Sequence, residues 1–272
     1  MAFTTNQGAK LYWDEVGIGE PLLLIMGLGY PSDAWYRTRP VLAKRYRTIA
    51  LDNRGVARSE MPPGPYPIPL MASDAAAVLD AARVDRAHVF GVSMGGMIAQ
   101  EFALQYPGRV RSLILGCTAA GGPNAIAAEP NAAEMIASRG EMTAEEAARV
   151  AIPFIYDAGT PRERIEEDLV MRRPWFPRAE AYLAQLQGIF MWESFSRLPQ
   201  IHAPTLVIHG EADRLVPPAN ARLIASQIPG AKLVLLPHAS HIFTTDQPEA
   251  AHRAILEFLE SCSRTATVIA AT

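Results

Sequence analysis

The stretch Val89-Phe90-Gly91-Val92-Ser93-Met94-Gly95-Gly96-Met97-Ile98-Ala99-Gln100 decides how the rest of the chain is read. The apolar run from Ala87 to Phe90 suits a buried strand, and the residues beyond Met97 are spaced as in a helix, so Ser93 stands at the join. Gly91 and Gly95 flank the serine at two positions on each side. In this G-x-S-x-G pattern the strand-to-helix turn is so tight that only glycine leaves room beside it, and the serine hydroxyl is pushed out above the sheet. A chain with 19 glycines can produce five such residues by chance, so the weight of the reading falls on the flanking elements and on the partners the serine requires.

Working outward, strands and helices alternate. Lys10 to Val16, followed by Gly17 and Gly19, reads as an edge hairpin leading to the apolar run Pro21 to Met26, which ends at Gly27-Leu28-Gly29. A helix is expected from Asp33 to Arg45, a strand at Thr48 to Leu51 before Asp52-Asn53-Arg54-Gly55, a loop from Met61 to Pro69 and a helix from Met71 to Ala82. The helix after Ser93 should stop at Pro107-Gly108, and Val110 to Gly116 is a further strand. From Gly121 to Pro199 no strand-like run occurs; helical patches at 132–138, 143–156, 162–172 and 178–192 are separated by prolines. Strand patterns return at Thr205 to Gly210 and Lys232 to Leu236, with a last helix from Gln247 to Glu260 and a loose tail from Ser263. Such alternation predicts an α/β fold with a mostly parallel, doubly wound sheet, and the helical interruption predicts a roof over the carboxyl ends of its strands. The expected division is a core of residues 1–120 and 200–272 with a cap of residues 121–199.

The 272 residues are 49% hydrophobic, enough for one large core, and carry a net charge of -3 with no polybasic segment, so a nucleic-acid partner is not expected. The start of the chain lacks a basic region followed by an apolar run, and no stretch approaches the roughly 18 to 20 apolar residues that a bilayer requires; a soluble, cytoplasmic protein without a membrane partner is the expectation. Two cysteines, Cys117 and Cys262, make neither a disulfide framework nor a metal knuckle, and no metal or organic cofactor is implied.

A serine hydroxyl is a poor nucleophile at neutral pH and needs a base, and the base needs a group to orient it. His241 follows the last predicted strand in Pro237-His238-Ala239-Ser240-His241, and Asp213 follows the one before it in Gly210-Glu211-Ala212-Asp213-Arg214. The order Ser93, Asp213, His241, each in the turn after a strand, would bring three distant residues to one rim. His238 competes with His241 for the role of base, and Glu211 competes with Asp213 for the acid.

With GVSMGG at the elbow, LDNRG after an early strand, PTLVIHGEADRLVP around the acid and LLPHASH around the histidine, the chain resembles the α/β-hydrolase superfamily over nearly its whole length. It is most similar to small bacterial carboxylesterases and 3-oxoadipate enol-lactonase-like serine hydrolases. The resemblance implies an eight-stranded-type sheet flanked by helices, a helical cap after the sixth strand, and Ser93, Asp213 and His241 as nucleophile, acid and base. Many members carry His-Gly where this chain has Met26-Gly27-Leu28-Gly29; the oxyanion donor there is a backbone N–H, so the role passes to the N–H groups of Leu28 and Met94.

These parts predict a hydrolase of a small carboxylic ester or lactone, working through an acyl-enzyme that water resolves. The same triad would also serve a cofactor-free haloperoxidase or perhydrolase, or a hydrolase of carbon–carbon bonds, and the same fold would serve a protein that only holds a small ligand. Halide and epoxide hydrolases of this resemblance use a carboxylate at the elbow, where this chain has Ser93. Trp192, Met191, Phe190, Trp175 and Phe176 under the roof, with Cys117 at a strand end, are the candidates for lining an acyl pocket, core packing being the alternative. Arg54 and Asp52 read as a pair fixing the loop near the elbow, contact with the substrate being the alternative. Oligomeric state has no signature in the sequence.

Overall fold

A computed structural model describes residues 1–138 and 142–270. Eight strands form one sheet in the order β1-β2-β4-β3-β5-β6-β7-β8: β1 Ala2–Asn6, β2 Ala9–Val16, β3 Glu20–Ile25, β4 Tyr46–Leu51, β5 Ala87–Val92, β6 Val110–Gly116, β7 Thr205–Gly210 and β8 Lys232–Leu236. From β4 to β8 all neighbours are parallel, and β1 and β2 are antiparallel additions at one edge. The helices are α1 Arg39–Leu42, α2 Ile68–Ala81, α3 Met94–Gln105, α4 Pro130–Ser138, α5 Ala144–Val150, α6 Ile152–Ile155, α7 Arg162–Arg172, α8 Ala179–Phe190, α9 Ala219–Gln227, α10 Phe243–Asp246 and α11 Pro248–Ala270.

The central strands are apolar without a polar face because both sides of the sheet are covered. Leu23, Ile25, Val89, Leu113 and Val207 pack with α2, α3 and α9 on one face. Their alternate neighbours Leu22, Leu24, Phe90, Ile114 and Leu206 pack with Trp35, Leu42, Phe243, Ile255 and Phe258 on the other. Helices α4 to α8 lie in the chain between β6 and β7, and Met135, Ala151, Ile155 and Tyr156 form a small core of their own there, joined by Leu215 and Ile242 from the loops after β7 and β8.

Four local expectations change. The hairpin at the amino end is β1–β2, turning at Gln7-Gly8, and β2 pairs with β4 rather than with β3. The helix expected over 33–45 is a 3-10 turn at Ser32–Arg37 and a single turn, α1, with Pro40 in its first turn. Helix α2 starts at Ile68, before Pro69, because proline is tolerated in a first turn where its missing N–H has no partner to lose. The expected loose tail is instead helical through Ala270, and residues 271–272 lie outside the described part.

Candidate active site

Ser93 has φ 56° and ψ -123°, a conformation that costs a residue with a side chain and persists only where its surroundings hold it. The holding is steric. A Cβ at Gly91 would lie 2.0 Å from the carbonyl oxygen of Gly95, and one at Gly95 would lie 2.2 Å from that of Ile25 in β3. Ser93 N–H donates to Gly116 O of β6, and the Ser93 carbonyl accepts from Gly96 N–H and from the Thr118 hydroxyl at 2.7 Å. The elbow is thereby locked to both neighbouring strands, and its side chain stands at the carboxyl end of β5.

His241 Nε2 lies 3.0 Å from Ser93 Oγ, and its Nδ1 lies 2.8 Å from Asp213 Oδ2. With Nδ1–H donated to the carboxylate, Nε2 of the neutral ring is left to accept the serine proton. Asp213 is fully enclosed. Its Oδ1 accepts the N–H groups of Leu215 and Val216 at 3.0 and 2.8 Å. Its Oδ2 also receives His209 Nε2 at 3.0 Å, a nitrogen that donates to Val216 O as well. Burial pushes the Asp213 carboxyl up, but the charge and N–H of His241 and the N–H of His209 more than reverse this, down to about 2. The competitors stand elsewhere: His238 and Glu211 are exposed on the surface.

On the opposite side of Ser93, the turn after β3 passes so close that a Cβ at Gly27 would lie 3.0 Å from Ser93 Cβ. The N–H groups of Leu28, next in that turn, and of Met94, first in α3, have no hydrogen-bond acceptor among the described residues. Asn53 Nδ2 holds the turn by donating to Met26 O at 2.9 Å. Gln185 of α8, fully buried, accepts Gly29 N–H at 2.9 Å and donates to Arg54 O at 3.0 Å. Arg54 and Asp52 do not pair with one another. Arg54 binds Asp74 twice at 2.6 Å, and Asp52 binds Arg58 and Ser32 N–H.

A family model described as the alpha/beta hydrolase family matches residues 22–254. The chain belongs to that family. Among similar proteins, a provisionally named carbamate hydrolase, RutD, of Azorhizobium caulinodans is 33% identical over 263 residues, 95% of this chain and 98% of that one. A poly(3-hydroxyalkanoate) depolymerase of Ectopseudomonas oleovorans is 34% identical over 244 residues, 88% of this chain and 84% of that one. The crystal structure of the enol-lactonase from Burkholderia xenovorans LB400 superimposes with a TM-score of 0.84 at 27% identity, covering 95% of this chain and all of that one.

In this hydrolase Ser93 and His241 open into a cavity of about 250 Å³ walled by Met26, Leu28, Val92, Met97, Ile155 and Leu186, among others. Of the aromatic and sulfur residues proposed from sequence to line it, Cys117 and Phe190 do so. Burial pushes the Cys117 thiol well up, so it stays protonated at the cavity wall. Trp192 does not line it: its ring is buried in the core and its indole N–H donates to Glu101 Oε2 of α3 at 2.7 Å. Met191 points to solvent, and Trp175 lies beneath the Arg58 guanidinium at 4.6 Å, while Phe176 flanks Arg172. The run Phe190-Met191-Trp192 carried no information on direction because α8 ends at Phe190, and Trp175 and Phe176 lie before α8 begins at Ala179. The sequence reading missed His209 and Gln185; His209, four residues before Asp213, had a readable position at the end of β7, whereas nothing in the chain signals Gln185. Among the described residues no group of His, Cys, Asp and Glu is placed to hold a metal ion, and no helix is long and apolar enough to cross a membrane.

Proposed function

We propose that the protein is a serine hydrolase that cleaves a carboxylic ester or lactone of a small substrate. The observation that carries this reading is His241, placed between Ser93 Oγ at 3.0 Å and Asp213 Oδ2 at 2.8 Å. His241 Nε2 takes the hydroxyl proton as Ser93 Oγ attacks the acyl carbon, and Asp213 stabilises the imidazolium and keeps its orientation. The carbonyl oxygen gains charge facing the free N–H groups of Leu28 and Met94. The carbon–oxygen bond to the alcohol breaks, the alcohol leaves with the proton from His241, and water repeats the sequence on the acyl-enzyme. In this reading residues 121–199 act as a cap whose inner wall shapes the acyl site. Relatives named as a depolymerase of poly(3-hydroxyalkanoate) and as an enol-lactonase favour the ester class. Similarity to the provisionally named carbamate hydrolase favours a second substrate class that the same attack would open, since a carbamate also presents an acyl carbon.

The test is labelling with a fluorophosphonate, mapped by mass spectrometry, beside turnover of 4-nitrophenyl esters, lactones and aryl carbamates. One label on Ser93 with ester turnover is expected. Ser93→Ala and His241→Ala should each lower kcat on the order of a million-fold, and Asp213→Asn somewhat less. A folded protein that neither labels nor turns over any of these substrates would overturn the reading.

A further inference from the structure

One guanidinium in the cavity wall has no part in the chemistry above. Arg172, the last residue of α7, is 5% exposed and lines the same cavity as Ser93 and His241. It lies over the Tyr30 ring, 3.6 Å from its centroid, with Phe176 at 5.8 Å. Its Nε and Nη1 are enclosed without a hydrogen-bond partner, and no carboxylate of the described residues pairs with it. The contrast with Arg54, equally buried, is direct: that guanidinium is held by both oxygens of Asp74 at 2.6 Å. Asp168, one turn before Arg172 and also at the cavity, does not supply the missing charge. Its Oδ1 accepts the Tyr36 hydroxyl and Arg37 Nε, and its Oδ2 accepts the hydroxyls of Tyr156 at 3.0 Å and Thr245 at 2.7 Å.

A buried cation without a partner costs more than stacking on a ring returns, and an apolar side chain would fill the same space without that cost. We propose that Arg172 binds a carboxylate carried by the substrate, which makes the preferred substrate a half-ester of a dicarboxylic acid. This rests on the ester or lactone reading of the Ser93 site. The other cavity-lining guanidinium, Arg37, is already paired with Asp168 and Glu167, so Arg172 is the one unpaired guanidinium among the described cavity walls, which are otherwise mostly apolar apart from that ion pair and the hydroxyls of Tyr30, Tyr36, Tyr156 and Thr245. That charge matches a monoanion; a phosphate dianion would bring a second charge for which the described walls hold no free cation. The planar guanidinium, fixed by Tyr30, presents N–H groups that suit the two oxygens of a carboxylate.

The test compares monomethyl and dimethyl succinate, glutarate and adipate, in which esterifying the second carboxylate removes its charge and adds one methyl group and one cleavable bond, on the wild type, Arg172→Gln and Arg172→Lys, the change in ratio between enzymes cancelling the difference intrinsic to each pair. Expected is a kcat/KM ratio of half-ester to diester above one for at least one chain length, expressed in KM. Arg172→Gln should lower that ratio roughly ten- to a hundredfold, the range for hydrogen bonds to a charged group, and Arg172→Lys should restore part of it. A ratio that Arg172→Gln leaves unchanged at every chain length overturns the proposal while leaving the serine-hydrolase reading intact. Should the wild type hydrolyse neither ester, calorimetry of the half-esters against Ser93→Ala, with and without Arg172→Gln, decides the site by itself: Arg172-dependent binding supports the carboxylate site whatever labelling and aryl-ester turnover say of the hydrolase reading, and its absence overturns the site. Thermal melting of both Arg172 variants checks that they are folded.

Discussion

Gly95→Ala puts the elbow geometry to a direct test. The added Cβ would lie 2.2 Å from the Ile25 carbonyl oxygen and 2.7 Å from that of Met26, both backbone atoms of the central strand and its turn. Close carbon-to-oxygen contacts in proteins settle near ~3.3 Å, so α3 and β3 must separate by about 1 Å. Neither partner can turn away as a side chain would, and the strain should cost about 1–3 kcal/mol, or several degrees of melting temperature in a chain of this size. Movement of α3 carries Ser93 and the Met94 N–H away from Leu28, and a displacement of about 1 Å at a reacting group costs on the order of a hundredfold in rate. The assay is kcat/KM on 4-nitrophenyl butyrate together with the rate of fluorophosphonate labelling. Gly108→Ala is the control, since a Cβ there meets nothing within 4 Å. A Gly95→Ala enzyme that labels and turns over within about twofold of the wild type would refute the steric account of the elbow, because the argument requires roughly a hundredfold.

Two further outcomes are expected. Gln185→Met strips Gly29 N–H and Arg54 O of their partner, so the melting temperature should fall, with about 1–3 kcal/mol for each orphaned group. Because Gly29 adjoins Leu28, whose N–H is the proposed oxyanion donor, kcat should fall about tenfold, short of the roughly hundredfold for losing a donor outright; lower stability with unchanged kcat would reduce Gln185 to a packing residue. Burial pushes the Asp246 carboxyl up to about 6 against the hydrogen bonds from Thr160 and Ser240 N–H that hold it down. The folded protein therefore binds this proton more tightly than the unfolded chain: the contribution is full below about pH 4 and is lost as pH rises to about 6, on the order of 2–3 kcal/mol. Urea midpoints of the wild type and Asp246→Asn between pH 4 and 7 should show that slope only in the wild type, and parallel curves would contradict it.

Much of this was legible from residue order alone. Strands β5 to β8 each hold a mostly apolar stretch, and β5 to β7, covered on both faces, have no alternating polar face to carry. The Ser93 turn was legible for a stricter reason: Gly91 and Gly95 are required by contacts inside the turn and with the adjacent strand, so sequence spacing records the geometry. Asp213 and His241 stood out because each closes a strand. The edge was harder, since β1 and β2 are half-exposed and their pairing depends on a short Gln7-Gly8 turn, not on a buried pattern.

What the sequence by itself determined, then, are the strands of the parallel part of the sheet, the elbow and the order of the three residues around it, because each is set by local spacing and by burial that leaves a trace in the chain. Only the tertiary structure decided which residues face the cavity. It turned Trp192 into the core and Met191 to solvent, brought Gln185 from α8 onto the turn after β3, and left Arg172 enclosed without a counter-charge. Those outcomes depend on how helices far apart in the chain cross one another, and a helical period states which side chains share a face without stating what that face meets.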